Sequence, residues 1–417
     1  MASLFSFIAR NWQIYSPTEL PKSRDALKFG ILGAANIAET VLIKAAKTHP
    51  GVIVQSVAAR DKQRATEYAK RHSIPQVHDS YEEMLNDTYI NAIYIPLPVR
   101  DHYEWTLKAV SKGKHVLVEK PSVANATEAE ALFNSPLLSS PNAPIVLEGL
   151  HYIFQPAWRV FLTLIDKPNV DRVVSVAKVP AYLVPKGSSQ RRYETGGGSL
   201  LNIGMYPMSV LREVMGAEPV NCTRCVVKRA PAPNEQIDES AEAIFSFSNG
   251  RTGEIAADIS GGALSFPTFN VTVQHKEVEV SVEELNATGG PKPAPGQSLH
   301  RIRRVTLNNF MMTSAWHRLD IQDEYVIRQA GRVVKRWTKK ESRKVYTFRD
   351  AGIDEPGEAH WSSFRYQLEQ FVNRVNGKKG VDWVGGEYSL AQARMVDMAY
   401  EKCGLPVKRT SAFIQGA

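Results

Sequence analysis

Residues 28–39 read KFGILGAANIAE: a short apolar run that ends at Gly33, three small or polar residues, and the opening of a helical period. A strand that passes through a tight glycine turn into a helix aims backbone N–H groups and the positive helix end at one spot, a place suited to a phosphate. Gly33 supplies the turn, and Ala35 and Ala38 occupy the second and third small positions of G-x-G-x-x-G. Alanine at the third position is within the usual rule, whereas at the second it is a departure. The motif is therefore weak alone and gains its weight from the strand before it and the helix after it.

Outward from this stretch, short apolar runs alternate with helical periods as far as residue 148. VIVQSVAA (52–59), NAIYIPL (91–97), HVLVEK (115–120) and PIVLE (144–148) read as strands. IAETVLIKAAKTH (37–49), KQRATEYAKRH (62–72), DHYEWTLKAVSKG (101–113) and NATEAEALFNS (125–135) read as helices. That rhythm predicts βαβ units and a doubly wound parallel sheet, a Rossmann domain over 28–150. After residue 150 strands follow one another, among them RVVSVAKV (172–179), EAIFSFS (242–248), TGEIAAD (252–258), FNVTVQH (269–275) and EVEVSV (277–282), with NATGGPKPAPGQS (286–298) as a loop between strands. An α+β domain with an open, mainly antiparallel sheet is expected over 151–417. Two helices close the chain at Gly377 and Gly404 and are expected to pack back on the first domain. Residues 1–27 form an arm expected to pack through Phe5, Ile8, Trp12 and Tyr15.

At the end of the second strand, SVAARDKQRA (56–65) places Arg60 where such folds meet the ribose. A carboxylate there binds the 2′-hydroxyl of NAD, whereas an arginine accommodates the 2′-phosphate of NADP. Arg60, with Lys62 and Arg64 behind it, favours NADP(H) as the cofactor, because a guanidinium fork suits a phosphate dianion. Asp61 is the competing residue and carries the NAD reading. Each basic group also has a plain role as charge at a helix start.

HVLVEKPSVAN (115–125) puts Glu119, Lys120 and Pro121 at the carboxyl end of a parallel strand, where open α/β sheets bind ligands. A lysine there can give or take a hydroxyl proton once burial or charge has brought its pKa toward neutrality. On these residues alone, a strand-end lysine in water is an equal reading.

Taken together, GILGAANIA, AARDKQRA, YIPLPVRDHYEWTLKAVSKGKHVLVEKP, EGLHYIFQPAW, GGGSLLNIGMYP and FRYQLEQFVNRVNG resemble the Gfo/Idh/MocA oxidoreductases over roughly residues 27–410. They stand closest to the fungal-type branch of dimeric dihydrodiol dehydrogenases and NADP-dependent D-xylose 1-dehydrogenases. The resemblance implies that Lys120 is the acid/base group and that Tyr206 stands beside it. It implies cofactor contacts at Gly33, Ala35, Asn36, Ile37, Arg60, Pro96, Leu97, His102, Glu119 and Lys120. Substrate contacts are implied at His151, Tyr152, Asn202 and Tyr206, and a homodimer through the C-terminal sheet. Four positions depart from the family pattern: Val99, Ile153, Gln155 and Asn202 stand where Asn, Arg, His and Asp are usual. These positions line the nicotinamide or substrate side of the family's cleft. Arg191 and Arg192 are further candidates for substrate contact; equally, His151 and Tyr152 read as a packed aromatic pair and the two arginines as a solvated loop, and a core or helix-capping role for His102 is an equal reading.

Composition bounds the alternatives. The 417 residues are 43% hydrophobic and 23% charged, as in globular proteins of two domains. No 18-residue apolar run suggests a membrane span. The net charge of +8 comes largely from 300–304 and 332–344, where basic and apolar residues alternate as on a half-exposed strand rather than in a nucleic-acid-reading motif. Three cysteines make neither a disulfide framework nor a zinc site, so no metal is expected and a cytoplasmic setting fits. The expected activity is NADP(H)-dependent hydride transfer at a CH–OH or carbonyl carbon of a sugar or cyclic alcohol. The loss of polar groups at Val99, Ile153 and Asn202 motivates a second reading, reduction of a less polar carbonyl or imine. A nucleotide-sensing regulator without turnover is a third, opposed by the retained Lys120 and Tyr206.

Overall fold

In the computed structural model, residues 4–280, 284, 289–378 and 383–415 are described. Six short strands, β1 (Leu27–Leu32), β2 (Val52–Ala58), β3 (Gln76–His78), β4 (Ala92–Ile95), β5 (His115–Val118) and β6 (Val146–Glu148), pair in parallel in the order β3-β2-β1-β4-β5-β6. All four side chains of β4 are buried, the mark of a strand covered on both faces. Strand order reverses between β1 and β4, and such sheets bind ligands in the crevice at that reversal.

The helices are α1 (Leu4–Tyr15), α2 (Lys44–Lys47), α3 (Lys62–His72), α4 (Tyr81–Asn86), α5 (His102–Ser111), α6 (Ala126–Phe133), α7 (Pro156–Thr163), α8 (Met205–Met215), α9 (Ser363–Val375) and α10 (Gly386–Cys403). Asp61, Ser80, Asn125 and Ser362 cap α3, α4, α6 and α9 by accepting from main-chain N–H groups, each worth about 1 kcal/mol.

The second sheet holds β7 (Val170–Pro180), β8 (Asn221–Arg229), β9 (Asp238–Ser246), β10 (Thr252–Gly261), β11 (Thr268–His275), β12 (Val278–Glu279), β13 (Gln297–Asn308), β14 (Arg318–Gln329) and β15 (Arg332–Arg343). Its order is β15-β14-β13-β11-β7-β10-β9-β8, with β12 on β13. The pairing is antiparallel except between β7 and β10, which run parallel. Val173, Ala177, Ala243, Phe245, Ile255 and Val271 are buried in the same core as Leu211, Val214 and Met215 of α8. Residues 281–282 of the expected EVEVSV strand, and 286–288 of the loop after it, lie outside the described residues. The basic stretches fall on β13 and β15, as their alternation suggests.

The reverse face of this sheet, the one expected to join two copies, mixes polar pairs with apolar residues. It carries a two-pronged Arg172–Glu254 pair at 2.7 Å, a Thr272–Thr306 hydroxyl pair at 3.0 Å and an Arg304–Gln274 bond, with half-buried Val174 and Val176 among them. Cross-strand polar pairs of this kind satisfy one another along neighbouring strands.

The arm also departs from expectation. Phe5, Ile8, Trp12 and Tyr15 are exposed, and the buried residue of α1 is Arg10. Its guanidinium donates to the carbonyls of Ser314 and Ala315 and lies 3.7 Å from the ring centre of Tyr346, while Asn11 donates to Ala315 as well. A planar fork over a ring, with carbonyls at its edge, fixes the helix by its polar side.

The last two helices return to the first sheet. Phe371 of α9 meets Phe29 of β1 with ring centres 5.5 Å apart. On α10, Ser389 donates to Glu148 of β6, and Asp397 accepts from the main chain of Ala126 at the start of α6. Both helices end near left-handed glycines, Gly377 and Gly404.

Candidate functional site

A groove runs along the carboxyl ends of β1, β2, β4 and β5. Its outer part is a cavity of about 560 Å³ lined by Gly33, Ala35, Ala59, Arg60, Asp61, Arg64, Tyr81, Pro96–Pro98, Gly187, Ser189 and Arg192, among others. Its inner part, about 310 Å³, shares Ala35, Pro96–Pro98 and Ser189 with the outer and adds Asn36, Ile37, Val41, Val99, His102, Glu119, Lys120, Gln190, Thr195, Gly196, Asn202, Tyr206 and Phe364. All the residues proposed from the sequence to hold a cofactor therefore line one continuous surface.

At the outer end, Gly33 has φ +100, and a Cβ there would stand 3.0 Å from Leu97, so both backbone and space call for glycine. A first helical turn opens at Ile37 and continues through a π-turn, Glu39–Ile43, into α2. Arg60 is exposed, and its guanidinium has no hydrogen bond or ion pair among the described residues. Arg64 donates to the Ala34 carbonyl at 3.0 Å and braces the glycine turn. Asp61 spends one oxygen on the Arg64 main chain as the cap of α3, a local reason for an acid at this position.

The inner end is buried. Lys120 Nζ donates to the main-chain oxygen of Asn202 at 2.7 Å and lies 5.3 Å from the ring centre of Tyr206. Burial lowers the Lys120 pKa, with Glu119 and Glu148 pulling it back up. Burial raises the pKa of Glu119, which accepts from Tyr94 at 2.8 Å, and that of Glu148, which accepts from Ser122 and Ser389. The Tyr206 hydroxyl is held well above its ordinary pKa by burial and by Glu119 and Glu148. It therefore stays protonated, and it has no partner among the described residues.

His102 lines the inner cavity, yet both ring nitrogens face carbonyls at 2.7 Å, Nδ1 that of Pro121 and Nε2 that of Leu97. It ties the loop after β4 to the segment carrying Lys120, an orienting role that sequence reading had placed at the cofactor.

Several candidates lie elsewhere than expected. Tyr152 is fully buried, bonded to Ser209 at 2.8 Å and packed edge-on to Trp158 and Phe310, so it is core rather than cleft. His151 stands behind the lining, with ring centres 4.3 Å from Phe364 and 5.7 Å from Tyr206. Burial and the Lys120 charge push its pKa down to about 3. Ile153 belongs to the core, and Gln155 bonds to Phe310, Met311 and Thr313, fastening that turn. Asn202 lines the cleft, but its amide donates to the Gly198 carbonyl at 2.7 Å, one helical turn back. Arg191 is spent on Val184, Glu239 and Ile259. Tyr81, Ser189 and Thr195, which no motif announced, are lining residues, as is Phe364, the first residue of FRYQLEQFVNRVNG, to which no role was assigned. Among the described residues no cluster of His, Cys, Asp and Glu is placed to hold a metal.

The model of an oxidoreductase family with an NAD-binding Rossmann fold matches residues 27–135, and that of the GFO/IDH/MocA C-terminal domain matches residues 171–275. D-xylose 1-dehydrogenase (NADP(+)) 2 of Haloferax volcanii is 34% identical over 46% of this chain and 58% of its own length. Trans-1,2-dihydrobenzene-1,2-diol dehydrogenase of Xenopus laevis is 27% identical over 64% and 85%. Several relatives are thus matched over less than two thirds of their own length. A 3-ketoreductase from Actinomadura kijaniata, crystallised with NADP and TDP-benzene, shares the fold with a TM-score of 0.65, 20% identity, and coverage of 90% of this chain and 98% of that one.

Proposed function

Because the chain belongs to the Gfo/Idh/MocA oxidoreductase family, we propose that it transfers a hydride between NADP(H) and a CH–OH or carbonyl carbon of a sugar or cyclic alcohol. Residues 28–150 hold the cofactor and 151–417 the substrate. The observation that carries this reading is the single groove joining exposed Arg60 at one end to buried Lys120 and Tyr206 at the other. The relatives named for NADP-dependent xylose oxidation and dihydrodiol oxidation support it.

The nicotinamide supplies the hydride acceptor or donor. Arg60 pairs with the 2′-phosphate, and Gly33 with the turn behind it admits the pyrophosphate to main-chain N–H groups. Lys120, with its pKa brought down by burial, takes the hydroxyl proton in oxidation and returns it in reduction. Tyr206 stays protonated and donates to the same substrate oxygen. Val41, Val99 and Phe364 give the inner cavity an apolar wall and favour a substrate with an apolar face, which supports the second reading, a less polar carbonyl.

Two copies are proposed to associate through the reverse face of the second sheet, where Val174 and Val176 interrupt the polar pairs; light scattering that returns a monomer mass at micromolar concentration contradicts this. Three unpaired cysteines suit a cytoplasmic setting. A panel of sugars, cyclic diols and less polar ketones, followed by NADPH absorbance with NADH as control, tests the activity. Turnover on none of them with either cofactor contradicts it.

A further inference from the structure

Arg191 and Arg192 are neighbours in sequence and opposites in circumstance. Arg191 has its guanidinium filled by Val184, Glu239 and Ile259, which pins the loop after β7. Arg192 is exposed, and its guanidinium makes no hydrogen bond or ion pair among the described residues. Its backbone is nevertheless held: its carbonyl accepts from Gly197 at 2.8 Å and from the Thr195 hydroxyl at 3.0 Å. Gly197 packs so closely that a Cβ would come within 2.6 Å of the Arg192 nitrogen. A fixed backbone with a free charge at its tip is a wall with a reaching side chain.

Arg192 lines the outer cavity together with Gly33, Arg60 and Arg64. The cavity lining thus carries three guanidinium groups and one carboxylate, Asp61, already committed in part to the cap of α3. Three like charges against one carboxylate repel, and an anion relieves them; a guanidinium offers phosphate a two-pronged match. We infer that Arg192 is a phosphate ligand for the dinucleotide, supplied from across the groove by the segment after β7, so that bound cofactor ties that segment to the first sheet. This rests on the reading that a dinucleotide occupies the groove.

Calorimetric titration of NADPH and NADH into the wild-type chain, Arg192→Ala and Arg192→Gln tests it, with thermal melts to confirm folding. Arg192 is exposed, so both variants are expected to melt with the wild type. NADPH should bind both variants about tenfold more weakly. Equal weakening of NADH marks the pyrophosphate as the contact, and unchanged NADH marks the 2′-phosphate; either supports the inference. Wild-type affinity for both cofactors in the two variants overturns it. If the wild-type chain binds neither cofactor, the cofactor reading itself fails and this inference falls with it, an outcome distinct from the previous one.

Discussion

The two ends of the groove hold positive charge in opposite ways. At the outer end the guanidinium groups of Arg60 and Arg192 are exposed and make no hydrogen bond or ion pair among the described residues. At the inner end Lys120 is buried among Glu119, Tyr206 and a main-chain carbonyl, where burial works against its charge. The first arrangement suits an ion that never changes protonation state during turnover, a phosphate. The second suits a group that must gain and lose a proton. Water makes the difference: solvent stabilises a guanidinium at no structural cost, and its exclusion brings an amine toward neutrality.

The largest break in this contrast is Lys120→Met, which leaves the outer end intact. Turnover is expected to fall by about 10²–10⁴ while calorimetric NADPH affinity persists; joint loss of both would move Lys120 to the cofactor site. Next comes the converse, Arg60→Ala. A charge-assisted contact of about 1.5–3 kcal/mol is removed, so NADPH affinity should fall tenfold or more with NADH affinity kept. A variant that still prefers NADPH would shift the selectivity to Arg64 or Arg192.

A third change, Asn202→Asp, probes how the inner end is built. The Asn202 amide donates to the Gly198 carbonyl, and a carboxylate has no proton to offer there. A stability loss of about 1–3 kcal/mol in denaturant titration is expected, and the pH profile should move to higher pH, because the new carboxylate belongs to the residue whose main-chain oxygen meets Lys120 and favours its charged form. A variant as stable as the wild type, with an unmoved profile, would show that this side chain neither braces the turn nor stands beside Lys120.

The smallest effect expected is in the pH–rate profile. Oxidation needs uncharged Lys120, so its rate should rise with pH through a pKa below the ordinary lysine value. The Glu119 charge opposes that depression, so Glu119→Gln should move the rising limb to lower pH, while the Arg60 end responds to salt instead. A limb that moves upward would mean that Glu119 acts on Lys120 other than by its charge.

What the sequence settled by itself lies in contiguous stretches. KFGILGAANIAE, SVAARDKQRA and HVLVEKP each complete a strand-to-turn unit within a dozen residues, so periodicity and turn chemistry locate Gly33, Arg60 and Lys120 without knowledge of any neighbour. The closing helices were legible for the same reason. Only tertiary structure decided that Tyr152 and Gln155 serve the core, that Asn202 turns its amide back on Gly198, and that α1 docks by Arg10 with its aromatic side left exposed. Likewise Ser189, Arg192 and Phe364 reach the groove from segments far along the chain. The physical reason is that a periodic pattern states which face of an element is apolar. Which partner meets that face, and which carbonyl waits for an amide or a guanidinium, is set by the folded chain, by a neighbouring turn for Asn202 and by a distant segment for Arg10.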